Sequence, residues 1–94
     1  MQVRWLRAAL ANLEAEAEYI ARDNPAAAAR VVIAITRAVE RLSAHPASGR
    51  PGRVPGTREL VVPGTPYILP YRVRSDAVEV LRVFHAARKW LPSF

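Results

Sequence analysis

GTRELVVPGTPYILPYRVRSDAVEVLRVFHAARKW, residues Gly56–Trp90, decides the fold. It reads as three short strands, Thr57–Val62, Tyr67–Arg74 and Val78–Phe84. Pro63-Gly64-Thr65-Pro66 separates the first two, and a turn at Arg74-Ser75-Asp76 separates the last two. Runs rich in Val, Ile, Leu and Tyr, bounded by Pro, Gly, Ser and Asp, carry the strand signal. Connections this short imply an antiparallel meander, because a parallel return needs a crossover of a dozen or more residues. In the middle strand Tyr67, Leu69, Tyr71 and Val73 share one face, and Ile68, Pro70, Arg72 and Arg74 the other. Strict alternation in the last strand groups Val78, Val80, Arg82 and Phe84 against Glu79, Leu81, Val83 and His85. Neither strand is purely apolar on one side, so both faces of the sheet are expected to be partly covered.

Upstream, Gln2–Leu6 alternates weakly and predicts a short first strand. The period then changes. Leu10, Leu13, Ala17 and Ile20 fall at i, i+3, i+7 and i+10, which predicts a helix from Arg7 to Arg22 with that stripe buried. Asn24 is a good N-cap and Pro25 a good first helical residue, so a second helix begins there. Ala28, Val32, Ile35, Val39 and Leu42 give its apolar stripe, and His45-Pro46 ends it near Ala44. So tight a link between two helices makes an antiparallel hairpin. The sheet is the element left to bury both stripes. Pro46–Pro55 reads as a Pro/Gly-rich connection from the hairpin to the sheet.

Ninety-four residues, 51% of them hydrophobic, suit a single domain over residues 1–94 with its own core. The absence of cysteine removes disulfides and thiolate chemistry and fits a reducing cytoplasm. The longest purely apolar stretch, Val31–Ile35, is far short of a membrane span, and the first residues lack a signal-peptide pattern. A soluble cytoplasmic protein without membrane partners is the expectation. The net charge of +6 is uneven. Residues 1–49 carry six Lys/Arg against five acids, whereas residues 50–94 carry eight against three. The basic half calls for an anionic partner: nucleic acid, a nucleic-acid machine or an acidic protein segment.

These residues resemble a known family. NPAAAARVVI in the second helix, then GRPGRVPGTRELV, PYILPYRV and VEVLRVFHAARKW, are similar in order and spacing to the RelE/ParE superfamily of bacterial toxins, and to its ParE-like members in particular. The resemblance runs from Trp5 to Trp90. It implies an α+β domain with the element order β-α-α-β-β-β, in agreement with the periodicity. It further implies the toxin of a type II toxin–antitoxin pair, held inactive by a ParD-like or similar DNA-binding antitoxin. Operator DNA would then be reached only through that antitoxin. ParE-like toxins poison DNA gyrase and arrest growth, whereas RelE-like toxins cut mRNA on the ribosome.

RNA cleavage through the 2′-hydroxyl needs a base, an acid and a cation for the phosphate. His85, with Arg72 and Arg82, is the set that could supply them; Glu59, Arg58 and Arg88 are further candidates. A lone His at a strand end is more often a hydrogen-bonded structural residue. Nucleolytic relatives usually place an arginine where the second meander strand begins, and here that text is Tyr67-Ile68-Leu69. Ile68 therefore replaces a phosphate-stabilising cation, which leaves the nuclease site degenerate and favours inhibition by binding over catalysis. Neither histidine has metal-ligand spacing, and no cofactor is implied.

Arg58, Arg72, Arg82 and Arg88 are the expected ionic contacts to the antitoxin. The tail residues Arg88, Lys89, Trp90 and Phe94 combine cations with aromatics and are the expected contacts to the target. Arg30, Arg37 and Arg41 share a helical stripe that reads as a solvated face. Alongside gyrase inhibition stand two alternatives: a ribosome-dependent endonuclease, and a non-toxic, antitoxin-binding corepressor.

Overall fold

The computed structural model describes residues 1–87. The elements are β1 (Gln2–Trp5), α1 (Arg7–Ala21), α2 (Pro25–Arg41), β2 (Arg50–Pro51), β3 (Arg58–Val61), β4 (Tyr67–Arg74), β5 (Ala77–Val80) and β6 (Phe84–His85). They form a helical hairpin on a mixed sheet of order β1-β5-β4-β3-β2, with β6 also paired to β4. All pairings are antiparallel except β1 with β5. The meander is thus β3-β4-β5, and the first strand joins it at the far side.

Three elements differ from the sequence-based expectation: the last strand, expected over Val78–Phe84, is split into β5 and β6, and two differences precede it. The Pro46–Pro55 connection contains β2, whose Arg50 and Pro51 pair with Glu59 and Arg58. The second helix stops at Arg41 instead of Ala44. There the last turn tightens into three-residue bonds, Leu42 N–H to Val39 O and Ser43 N–H to Glu40 O. Pro46 disfavours helical geometry at His45, so the chain cannot continue. The Ser43 hydroxyl then donates to the Met1 carbonyl across 2.6 Å, tying the end of α2 to the entry of β1. At its start α2 is capped as its sequence demands: the Asn24 Oδ1 accepts from the Ala27 N–H at 3.0 Å, with Pro25 following.

The core lies between the hairpin and one face of the sheet. Ala9, Ile35, Ala38 and Val39 pack with Val62, Tyr67, Leu69, Val80 and Val83. Leu42, Tyr71 and Val78 form a second group, and Val3 and Leu60 touch both. The α1 stripe is turned relative to its expected phase. Ala9 is fully buried and Leu10 is 45% exposed. Leu13 and Ile20, partly buried, pack against the core as expected. A small side chain is what sits where the first turn meets the sheet.

The register of β4 exposes a bulge. Tyr71 pairs with Val80 and Arg74 with Ala77, but farther along Ile68 pairs with Phe84 and Tyr67 with His85. One extra residue lies between the two paired segments, the signature of a β-bulge. Leu81 N–H still bonds Pro70 O at 2.9 Å, and Val83 N–H is taken by the Asn12 side chain of α1 at 3.1 Å. The bulge inverts the alternation read from sequence. Val83 joins the core, Phe84 pairs across from Ile68 on the opposite face, and His85 turns toward the helices.

Candidate binding surface

The face of the sheet turned away from the helices carries a row of arginines set by strand pairing. Arg4, Glu79 and Arg72 lie side by side across β1, β5 and β4. Arg74 lies two residues beyond Arg72, one row closer to the Ser75-Asp76 turn. Glu59 is opposite Pro70 on one side and Arg50 on the other. Alternation puts all of these on the same face.

Two carboxylates organise the row. Arg72 donates through Nε to Glu79 Oε1 at 2.7 Å. This hydrogen bond, helped by the charges of Arg72, Arg74 and Arg4, holds the Glu79 carboxyl below its ordinary value against the opposing effect of burial. Glu59 takes Arg50 Nε and Nη2 on Oε1, both at 3.0 Å, and the Arg53 backbone N–H on Oε2 at 2.9 Å. The Arg53 guanidinium is near the same oxygen at 3.7 Å. The acids are sunk and the cations are not. The side chains of Glu59 and Glu79 are 3% and 13% exposed, those of Arg50, Arg53 and Arg72 50%, 54% and 30%.

The loop bearing Arg50 and Arg53 is fastened by Tyr71, whose hydroxyl donates to Pro46 O at 2.7 Å and accepts the Gly49 N–H at 2.8 Å. Arg58 Nη1 donates to Gly49 O at 2.9 Å, so that cation braces the same loop. Glu59 is the residue whose role was least visible in the sequence. As a lone acid among arginines it reads as a catalytic candidate, and the structure makes it the buried anchor of a loop. The Arg72–Glu79 pair, by contrast, follows from the two-residue turn, which fixes that register.

The nuclease candidates do not converge. His85 is on the helix side, with its ring edge-on to Tyr67 (centroids 5.6 Å apart, planes at 86°), and its Nδ1 accepts the Ala87 N–H at 3.2 Å. The Tyr67 hydroxyl in turn donates to Glu16 of α1 at 2.9 Å. Arg72 is on the other face, five residues along β4. Arg82, in the bulge, donates from Nη1 to the Leu81 carbonyl at 2.7 Å. Ile68 is buried beside Leu69. Arg88, Lys89, Trp90 and Phe94 lie outside the described residues. Among the described residues no three His, Cys, Asp or Glu side chains gather as a metal site, and no helix is long and apolar enough to cross a membrane.

A second surface lies between the helices. Ala17, Ala21, Ala28, Ala29, Val32 and Ile33 line an open apolar groove of about 480 Å³. Arg30, Arg37 and Arg41 are exposed on α2, as the stripe predicted.

Comparison with known proteins agrees with this architecture. The family model described as "ParE toxin of type II toxin-antitoxin system, parDE" matches residues 3–90. The chain is 52% identical over 89 residues to a Sinorhizobium fredii protein described as "Putative toxin Y4kP", covering 95% of this chain and 92% of that one. It is 37% identical over 87 residues to "Toxin RelE2" of Caulobacter vibrioides, covering 93% and 97%. Among solved structures, one titled "Chromosomal ParDE TA system from P. aeruginosa" is similar with a TM-score of 0.81 and 33% identity, covering 90% of this chain and 95% of that one.

Proposed function

The chain belongs to the ParE toxin family of type II toxin–antitoxin systems, and from that premise we propose that it arrests growth by binding DNA gyrase in the cytoplasm. A cognate antitoxin holds it inactive until released. One observation carries the choice of binding over bond-breaking: the bulge after β5 turns His85 away from the arginine face. An imidazole on one side of a sheet cannot pass a proton to a phosphate held on the other. The substitution at Ile68 supports the same reading, since the position expected to hold a cation is a buried aliphatic side chain.

Arg58, Arg72, Arg82 and Arg88 remain the proposed ionic contacts to the antitoxin, and Arg88, Lys89, Trp90 and Phe94 the proposed contacts to gyrase. The engagement of Arg72 with Glu79 refines the first set. An acidic antitoxin segment would meet an oriented guanidinium, at little cost in side-chain entropy.

The test is gyrase supercoiling titrated with refolded toxin freed of antitoxin. Inhibition that the antitoxin relieves is the expected result. A folded sample that leaves supercoiling intact overturns the gyrase reading and moves the target to ribosome-bound mRNA, the alternative that the resemblance to RelE-like toxins implies. Unchanged growth on induction without antitoxin would instead indicate a corepressor.

A further inference from the structure

The arginine face has a property that inhibition of gyrase does not use. Arg4 and Arg72 flank Glu79, Arg74 follows two residues on, and Arg50 and Arg53 flank Glu59. Both carboxylates lie beneath the guanidiniums they orient, so the surface presented to solvent is predominantly positive. Asp76, in the turn, is the exposed acid at that end. The cations span the sheet from the β2 edge to the β1 edge, four strand spacings or roughly 19 Å. Arg72 and Arg74 are about 6.6 Å apart along β4.

An array of guanidiniums across an extended face, with Arg50 and Arg72 held in place by carboxylates, matches a regular line of phosphates. Single strands are held chiefly by stacking on exposed aromatic rings. Among the described residues that face carries one aromatic, Phe84, and it is half-buried opposite Ile68. What remains is phosphate contact, which favours the higher charge density of a duplex. The arginines of α2 offer no equivalent, because Glu14, Glu18 and Glu40 are exposed on the same hairpin.

We propose that the helix-distal face of the sheet, through Arg4, Arg50, Arg72 and Arg74, binds the phosphate backbone of duplex nucleic acid without regard to sequence. This contact is separate from operator recognition, which belongs to the antitoxin, and it requires neither gyrase nor the ribosome. An antitoxin segment seated on Arg72 would compete with it.

The test is fluorescence anisotropy of antitoxin-free toxin with a labelled random duplex DNA, a single strand of the same sequence, and poly-glutamate. Expected is duplex binding that weakens roughly ten- to hundredfold between about 50 and 200 mM salt, as two to four phosphate contacts require. The double variant Arg4→Ser/Arg74→Ser, which spares both buried carboxylates, should lose about tenfold or more and lower the salt slope by about two. The charge-matched Arg30→Ser/Arg37→Ser should stay within about twofold, with thermal melts confirming that both doubles fold. Equal losses in the two doubles would mean net charge without a site and overturn the proposal. So would no binding at low salt, or tighter binding of the single strand or of poly-glutamate. Each of these failures leaves the gyrase reading standing.

Discussion

The rings of Tyr67 and His85 meet edge to face on the helix side of the sheet, separated by the thickness of the sheet from the arginine face. This pairing makes His85 part of the scaffold at the end of β4. His85→Gln should therefore retain growth arrest when expressed without antitoxin, at a stability cost of about 1 kcal/mol for the lost ring contact. Growth curves and a thermal melt check both. Loss of arrest in a folded His85→Gln protein would return the imidazole to the mechanism.

Gly49 is a tight point of the loop that bears Arg50 and Arg53. A Cβ there would stand 2.5 Å from the Tyr71 hydroxyl and 2.9 Å from the Glu59 carbonyl, the second of which belongs to backbone and cannot swing aside. Gly49→Ala should lower stability by about 1–3 kcal/mol, the usual range for overpacking. Tyr71→Phe should cost a similar amount, about 1–3 kcal/mol, because the Gly49 N–H is left unpaired in a buried site. Urea denaturation of both variants reads these values.

Glu79 gives the fold a specific acid sensitivity. Its pKa is lowered in the folded chain, first by the hydrogen bond from Arg72. A carboxyl whose folded pKa lies below its unfolded value binds fewer protons when folded. Its stabilisation is present above the unfolded pKa and is lost as pH falls through the folded one. Glu79→Gln should be less stable than the parent at neutral pH, and the gap should close in acid below the lowered pKa. Melting temperatures measured across that range check the sign.

The β4–β5 turn holds its two central residues in left-handed geometry, Ser75 at φ 52° and Asp76 at φ 60°. A two-residue hairpin with both φ values positive favours Asn-Gly. Ser75→Asn with Asp76→Gly should raise stability by roughly 0.5–1 kcal/mol, since glycine adopts this conformation without steric cost. A melt of the double variant against the parent measures it.

The phase of α1 can be tested with two adjacent positions. Ala9→Leu should destabilise by about 1–3 kcal/mol through overpacking, while Leu10→Gln should change stability by less than about 0.5 kcal/mol. The reverse order would restore the stripe expected from sequence.

That misplaced stripe shows what the sequence hides. Leu10 is the more hydrophobic residue, and helical spacing selects it. Ala9 wins because the helix approaches the sheet closely there, and closeness is a property of the partner surface. The Asn24-Pro25 cap and the Ser75-Asp76 turn were legible because their chemistry is local. So was the Arg72–Glu79 pair in principle, as a two-residue turn sets its register. The bulge between Val80 and Phe84 was not legible. No glycine marks it, and Asn12 of α1 takes the Val83 amide there from 71 residues away. With the bulge went the side of the sheet on which His85 lies, and hence the meaning of the most conspicuous candidate residue. Glu59 was seen as an acid among arginines, but its burial depends on a short strand, β2, inside a Pro/Gly-rich loop.

The pairing of β1 with β5 has a consequence for how the protein comes into being. Trp5 is aligned with Val80, and Leu6 N–H bonds Val80 O at 3.0 Å. On a ribosome the first strand must wait, unpaired, until β5, about 75 residues behind it, has left the exit tunnel. A nascent or prematurely ended chain lacking β5 has neither a completed sheet nor the Arg4–Glu79–Arg72 row. Only a chain that includes β5 can assemble that face.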